Sequence, residues 1–161
     1  MALVLAATPL GNPLDASQRL RDAIASAEII AAEDSRRFTR LCKDLGVTYT
    51  ARVISFFEGN ELERIEELMA ILESNNDLLV ITDAGMPGIS DPGYRLARAA
   101  VAKNIPITVL PGPSAVTTAL VLSGLPSDRF SFEGFPPRTS GARVTWFQSL
   151  VEEERTFIFF E

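Results

Sequence analysis

The stretch L-L-V-I-T-D-A-G-M-P-G-I-S-D-P-G, Leu78 to Gly93, decides the fold. Four apolar residues in a row lead into a loop that holds Gly85, Gly88 and Gly93 with Pro87 and Pro92, and a helical pattern follows from Tyr94 to about Lys103. An unbroken apolar run of this length fits a strand covered on both faces. Glycine permits positive φ and close approach of a ligand to the backbone, and proline fixes φ and removes a donor. The segment therefore predicts a strand, a rigid loop with bare amides at its carboxyl end, and a helix. Open α/β sheets bind ligands at such strand ends.

The same alternation runs outward in both directions. Apolar runs predict strands over 3–7, 29–32, 53–56, 78–82 and 107–110; helical patterns cover about 17–25, 35–45, 61–74, 93–103 and 114–123. Strand–helix repetition with short connectors implies an α/β fold, a mostly parallel sheet flanked by helices with right-handed crossovers. In 61–74 the apolar stripe is Leu62, Ile65, Leu68, Met69 and Leu72, and Glu63, Arg64, Glu66, Glu67 and Glu73 form a solvated face. The texture changes after Leu125-Pro126, where Phe130, Phe132 and Phe135 alternate at a strand period. A loop at 136–141, a helix to about Glu153 and a strand over 156–160 follow. The expected division is an N-terminal α/β domain over 1–118 and the beginning of a second, α+β domain over 119–161. Two strands and a helix do not easily make a core of their own, so this second part is expected to be incomplete.

Composition narrows the chemistry. The chain has 161 residues, 47% hydrophobic and 22% charged, within the range of a globular protein. No apolar run reaches the roughly 18 residues of a membrane span, and Met1 to Ala6 lacks the basic flank of a signal peptide. No membrane association and a cytoplasmic location are expected. Cys42 is the one cysteine, which fits a reducing compartment and a buried helical position. There is no histidine, which removes Ser-His and Cys-His catalysis and imidazole metal sites. No metal is expected, and any proton transfer falls to Asp, Glu, Lys or Tyr. The net charge of −6 means that a nucleic-acid partner must meet a local basic patch.

Four loops fall at predicted strand ends: 8–13 (T-P-L-G-N-P), 33–37 (E-D-S-R-R), 82–93, and 111–115 (P-G-P-S-A). A parallel sheet gathers them on one edge. None carries G-x-G-x-x-G or a phosphate loop, so a ligand without phosphates fits better. Asp83 and Asp91 are candidates to meet its hydroxyls or a cation, although both also suit turns. Glu33 and Asp34 sit where a helix dipole stabilises acids, and either of them or Arg36 could face the cleft.

In this order the loops resemble the tetrapyrrole methylase superfamily of S-adenosylmethionine-dependent methyltransferases. Within it they look like the ribosomal RNA branch, which 2′-O-methylates a cytidine of small-subunit rRNA. The matching stretches are 7–15, 30–36, 82–94, 110–115 and 123–138, nearly the whole chain. The resemblance implies two α/β domains with S-adenosylmethionine between them and direct displacement of its methyl group by the ribose 2′-hydroxyl. It implies cofactor contacts at Leu10, Asp83, Ala84, Gly85, Met86, Ser114 and Ala115. Glu33 and Asp34 are the candidate bases, and Arg36, Arg37, Arg40 and Lys43 the candidate contacts to RNA phosphate. Small-subunit rRNA and a second copy of the chain are the expected partners. Members of the family run longer, so little activity is expected of these 161 residues alone. A precorrin-type or diphthine-type acceptor, or a non-catalytic binding domain, are the rival readings.

Overall fold

The computed structural model describes residues 2–161 and divides them into two compact units, 2–114 and 115–161. In the first, a five-stranded sheet is built from β1 (Leu3–Ala6), β2 (Ile29–Ala32), β3 (Arg52–Ser55), β4 (Leu78–Ile81) and β5 (Ile107–Leu110). The spatial order is β3-β2-β4-β1-β5, and every pairing is parallel. Four helices cross between the strands: α1 (Gln18–Ser26), α2 (Ser35–Leu45), α3 (Glu61–Glu73) and α4 (Tyr94–Ala102).

Right-handed crossovers settle which face each helix takes. The chain moves one way along the sheet from β1 through β2 to β3, so α1 and α2 share a face. It then returns to β4 and on to β5, so α3 and α4 share the other. The packing agrees. Leu20, Ile24, Phe38, Cys42 and Leu45 bury with Ile30, Ala32, Leu79 and Ile81. Leu68, Leu72, Leu96 and Ala100 bury with Leu3, Ala31, Leu78 and Val80. Successive residues of β2 and β4 alternate between the two cores, which is why these strands read as continuous apolar runs. At the edge strand β5 the expectation of two covered faces fails, because Thr108 and Val109 are exposed.

Local chemistry sets the helix ends. Ser17 Oγ accepts from the Leu20 N–H at 3.0 Å and caps α1. Asp34 accepts from the N–H groups of Arg36 (2.8 Å) and Arg37 (3.3 Å) and caps α2. The apolar stripe of α3 differs from expectation at its start. Leu62 is 68% exposed, and the buried series is Glu61, Leu68, Met69 and Leu72. Residue 61 lies seven before 68 and so shares its face, which places a carboxylate in an apolar stripe.

The second unit contains α5 (Ala115–Ser123), β6 (Phe130–Phe132), α6 (Ser140–Ser149) and β7 (Thr156–Ile158). β6 and β7 pair in parallel, with α6 between them in the chain. Val116 and Leu120 of α5 bury with Ile158, against Phe132 and Phe160. α6 stops short of the expected Glu153: three successive acids, Glu152 to Glu154, oppose the negative end of a helix.

Candidate functional site

The loop after β4 occupies an unusual place in the sheet. The helix that follows β4 lies on the opposite face from the helices that follow both of its neighbours, β2 and β1. Loops diverge at such a switch and leave a crevice outside the strand ends. The all-parallel sheet sets the loops after β3, β2, β4, β1 and β5 side by side.

Loops 8–13 and 82–93 are stitched together. The Thr8 N–H donates to Gly85 O (2.9 Å), the Gly85 N–H donates to Thr8 O (3.1 Å), and Thr8 Oγ1 donates to Thr82 O (3.2 Å). Gly85 has φ +86°, and a Cβ there would touch Leu10 Cδ2 at 3.4 Å, so the position suits glycine on both counts. The loop also closes on itself, with the Gly88 N–H on Pro92 O (3.1 Å) and the Ile89 N–H on Met86 O (3.2 Å).

Loop 33–37 joins from the other side. The Asp83 N–H donates to Glu33 Oε2 at 3.0 Å, and Arg37 Nη1 lies 3.1 Å from Asp83 Oδ2. Burial raises the pKa of Asp83 even though Arg37 opposes the shift. Burial, with the charge of Asp83, also raises Glu33, against the hydrogen bond from the Asp83 backbone. Asp91 is pushed up to about 6, by burial first and then by the charges of Glu33 and Asp83. Asp34 goes the other way: its side-chain hydrogen bond with Arg36 and the two backbone bonds of the cap hold it at about 2. Adjacent residues thus shift in opposite directions, Glu33 up and Asp34 down.

Two clefts open here and share Asp83. One, of about 420 Å³, is lined by Glu33, Asp34, Ser35, Arg36, Ser55 and Phe57 along with it. The other, of about 440 Å³, includes Leu10, Arg37, Arg40, Leu41 and Ala84. Met86, Ser114, Ala115 and Lys43 line neither. Met86 is half-buried in loop 82–93, and Ser114 and Ala115 sit where the first unit ends and α5 begins. Of the four expected RNA contacts, Arg36 pairs with Asp34, Arg37 with Asp83, and Arg40 with Asp44 at 3.7 Å; Lys43 is exposed on α2. Cys42 is buried and its thiol is pushed up to about 11, an inert core group.

The loop after β3 went unnoticed in the sequence and supplies Phe57. Its ring lies over Gly59, where a Cβ would come within 2.8 Å of Phe57 Cε2, and Asn60 accepts from the Phe57 N–H (2.8 Å) while donating to Ser55 O (3.1 Å). This fixes an aromatic ring, 44% exposed, beside the first cleft. The signal was F-F-E-G-N straight after a strand, a turn sequence with an aromatic residue that no core required. Glu61 was missed as well. Its Oε1 accepts from the N–H groups of Gly93 (3.0 Å) and Arg95 (3.3 Å) at the start of α4.

Comparison with known proteins bears on the family and the fold. A family model described as Tetrapyrrole (Corrin/Porphyrin) Methylases matches residues 2–161. A protein of Mycobacterium bovis named "Ribosomal RNA small subunit methyltransferase I" is 52% identical over 159 residues, which are 99% of this chain and 56% of that protein. One of the same name from Escherichia coli O157:H7 is 40% identical over 159 residues, 99% of this chain and 55% of that protein. The chain thus spans about half the length of the curated relatives it matches. Among solved structures, the uroporphyrin-III-C-methyltransferase of Thermus thermophilus superposes with a TM-score of 0.60 at 17% identity, covering 84% of this chain and 60% of that one. The precorrin-6Y methylase of Archaeoglobus fulgidus does so at 0.53 and 24%, covering 83% and 62%. At these identities the two structures bear on the fold, and the family model and the sequence relatives bear on descent: the chain belongs to the tetrapyrrole methylases, a family of S-adenosylmethionine-dependent methyltransferases.

Proposed function

We propose that these residues form part of an enzyme that methylates the 2′-hydroxyl of a cytidine in small-subunit rRNA, with S-adenosylmethionine as donor. The observation that carries the reading is the pair of clefts that meet at Asp83, one with apolar and backbone surface and one with an aromatic shelf beside carboxylates. The relatives' name supports small-subunit rRNA as the acceptor molecule, and the cytidine 2′-hydroxyl is what the family resemblance implies.

The residues fit the cofactor. An adenosyl sulfonium is cationic and has no phosphate. The rim carries Glu33, Asp83 and Asp91 close enough to perturb one another, and it holds no phosphate loop. Leu10, Asp83, Ala84, Gly85 and Met86 would hold the cofactor on the side of loops 8–13 and 82–93; the resemblance assigns Ser114, which ends the loop after β5, and Ala115, the first residue of α5, to the cofactor as well. When bound, it supplies an activated methyl group, so the protein's part is mainly alignment. Phe57 offers a face on which a base can stack. Glu33 is the better proton acceptor of the two candidates, because Asp34 is pinned as a cap at about 2. Arg36, Arg40 and Lys43 on the exposed face of α2 meet phosphates once Arg36 and Arg40 leave their surface partners, whose ion pairs are weak. Arg37 pairs with the more buried Asp83 and serves the site wall first.

An rRNA acceptor places the work in the cytoplasm. A homodimer is proposed too, with Val121, Leu122 and Val151 of the second unit as exposed apolar surface for it. The test is transfer of labelled methyl to small-subunit particles, with tetrapyrrole as control. Asp83→Asn is expected to lower transfer by about tenfold or more. Labelling of tetrapyrrole and not of the particles would overturn the acceptor. Calorimetry of S-adenosylmethionine separates binding from turnover.

A further inference from the structure

Loop 82–93 is held by a carboxylate at each end, and only the one at its start belongs to the clefts. Glu33 takes the Asp83 N–H there. At the far end the loop passes into α4 through Gly93, which has φ +125° and no side chain with which to cap the helix. The first amides of a helix need acceptors, and an anion at that end is favoured. Here the acceptor comes from α3, 32 residues earlier in the chain: Glu61 Oε1 takes both the Gly93 and the Arg95 N–H. Its side chain is 8% exposed, with Arg95 Nε 3.9 Å from Oε2 as countercharge.

The consequence reaches back along the loop. Gly93 packs against Gly88 and Pro87; a Cβ on it would lie 3.5 Å from Gly88 N and 3.6 Å from Pro87 Cβ. Gly88 is in turn bonded to Pro92 O, and Met86 O accepts from Ile89. Fixing Gly93 therefore fixes the turn over 86–92, which carries Met86.

We propose that Glu61 is a positioning residue for cofactor binding: it caps α4 from α3 and so sets the carboxyl end of the loop whose other end forms the cofactor wall. This rests on the reading of that loop as a cofactor wall. The experiment compares Glu61→Met and Glu61→Gln in the full protein. The two side chains are close in volume, but only glutamine keeps an oxygen to accept the two N–H groups. Amide exchange is followed by mass spectrometry, and the Kd for S-adenosylmethionine by calorimetry. Glu61→Met is expected to speed exchange over 86–95 about tenfold with β1 and β2 unchanged, and to raise Kd about tenfold. Glu61→Gln is expected to restore most of both. Unchanged exchange over 86–95 in Glu61→Met overturns the proposal, and so does faster exchange spread evenly over the sheet. If the unaltered protein binds no S-adenosylmethionine, the cofactor reading falls while the exchange comparison still decides whether Glu61 holds the loop.

Discussion

The interior of the first unit's sheet and its carboxyl rim are continuous in the chain and opposite in character. In the interior, β2 and β4 alternate between two apolar cores, and every pairing is parallel and in register. One residue further on, Thr82 is buried with a hydroxyl that has no hydrogen-bond partner among the described residues, and Glu33, Asp83 and Asp91 crowd together. The rim also concentrates left-handed backbone, at Gly85, Gly88, Gly93 and the non-glycine Ser90. The interior is arranged for stability. The rim gives some of it up, as binding sites do.

The largest test of that contrast lies in the interior. Leu96 is fully buried among Leu68, Leu72, Val80 and Ala100. Leu96→Ala should cost about 2–5 kcal/mol in urea unfolding; a loss under about 1 kcal/mol would mean that the core is loosely packed. On the rim the sign should reverse. Thr82→Val removes an unpartnered hydroxyl, and a gain of roughly 1 kcal/mol is expected by the same method. A loss would show that the hydroxyl is bonded after all.

The smallest effects depend on pH, and the two kinds of acid should differ in direction. The pKa of Asp91 is raised in the fold, to about 6. It ionises first in the unfolded chain, so it subtracts stability progressively from about pH 4 to about pH 6 and by a constant amount above. Asp91→Asn should therefore melt higher than the parent above pH 6, and the two should converge near pH 4. Asp34 is depressed to about 2, so its contribution is present above about pH 4 and lost as pH falls through 2. Asp34→Asn should flatten the acid end of the melting profile. Matching profiles for the two variants would remove the distinction drawn between their carboxylates.

Much of the interior was legible in the sequence because burial on both faces leaves a plain mark. The run at 29–32 matches β2 in extent, and 35–45 matches α2, with Asp34 before it and Gly46 after; the run at 107–110 matches β5 too, although Thr108 and Val109 of that edge strand are exposed. The motif loops were legible too, since few sequences place glycine and proline so densely after a strand. What was not legible were contacts between residues far apart in the chain. Glu61 looked like one more acid on an acidic helix, and only the packing of α3 against α4 shows that it faces inward. Phe57 was hidden because a single aromatic residue after a strand carries no period. The raised pKa of Glu33 could not be foreseen either, since it depends on burial and on Asp83, which is distant in the chain.

The strand order has a bearing on how the chain acquires its structure. β1 and β2 do not touch; β4 lies between them. While residues up to about 55 are being synthesised, only the β2–β3 pair has both of its members, and β1 has no neighbour to join. Leu78 to Ile81 must emerge and insert before the two halves become one sheet. Assembly of this unit is therefore gated by its fourth strand, late and non-local, as in other slow parallel topologies. The loop over 82–93 that follows β4 is threaded into place by the same event that completes the sheet.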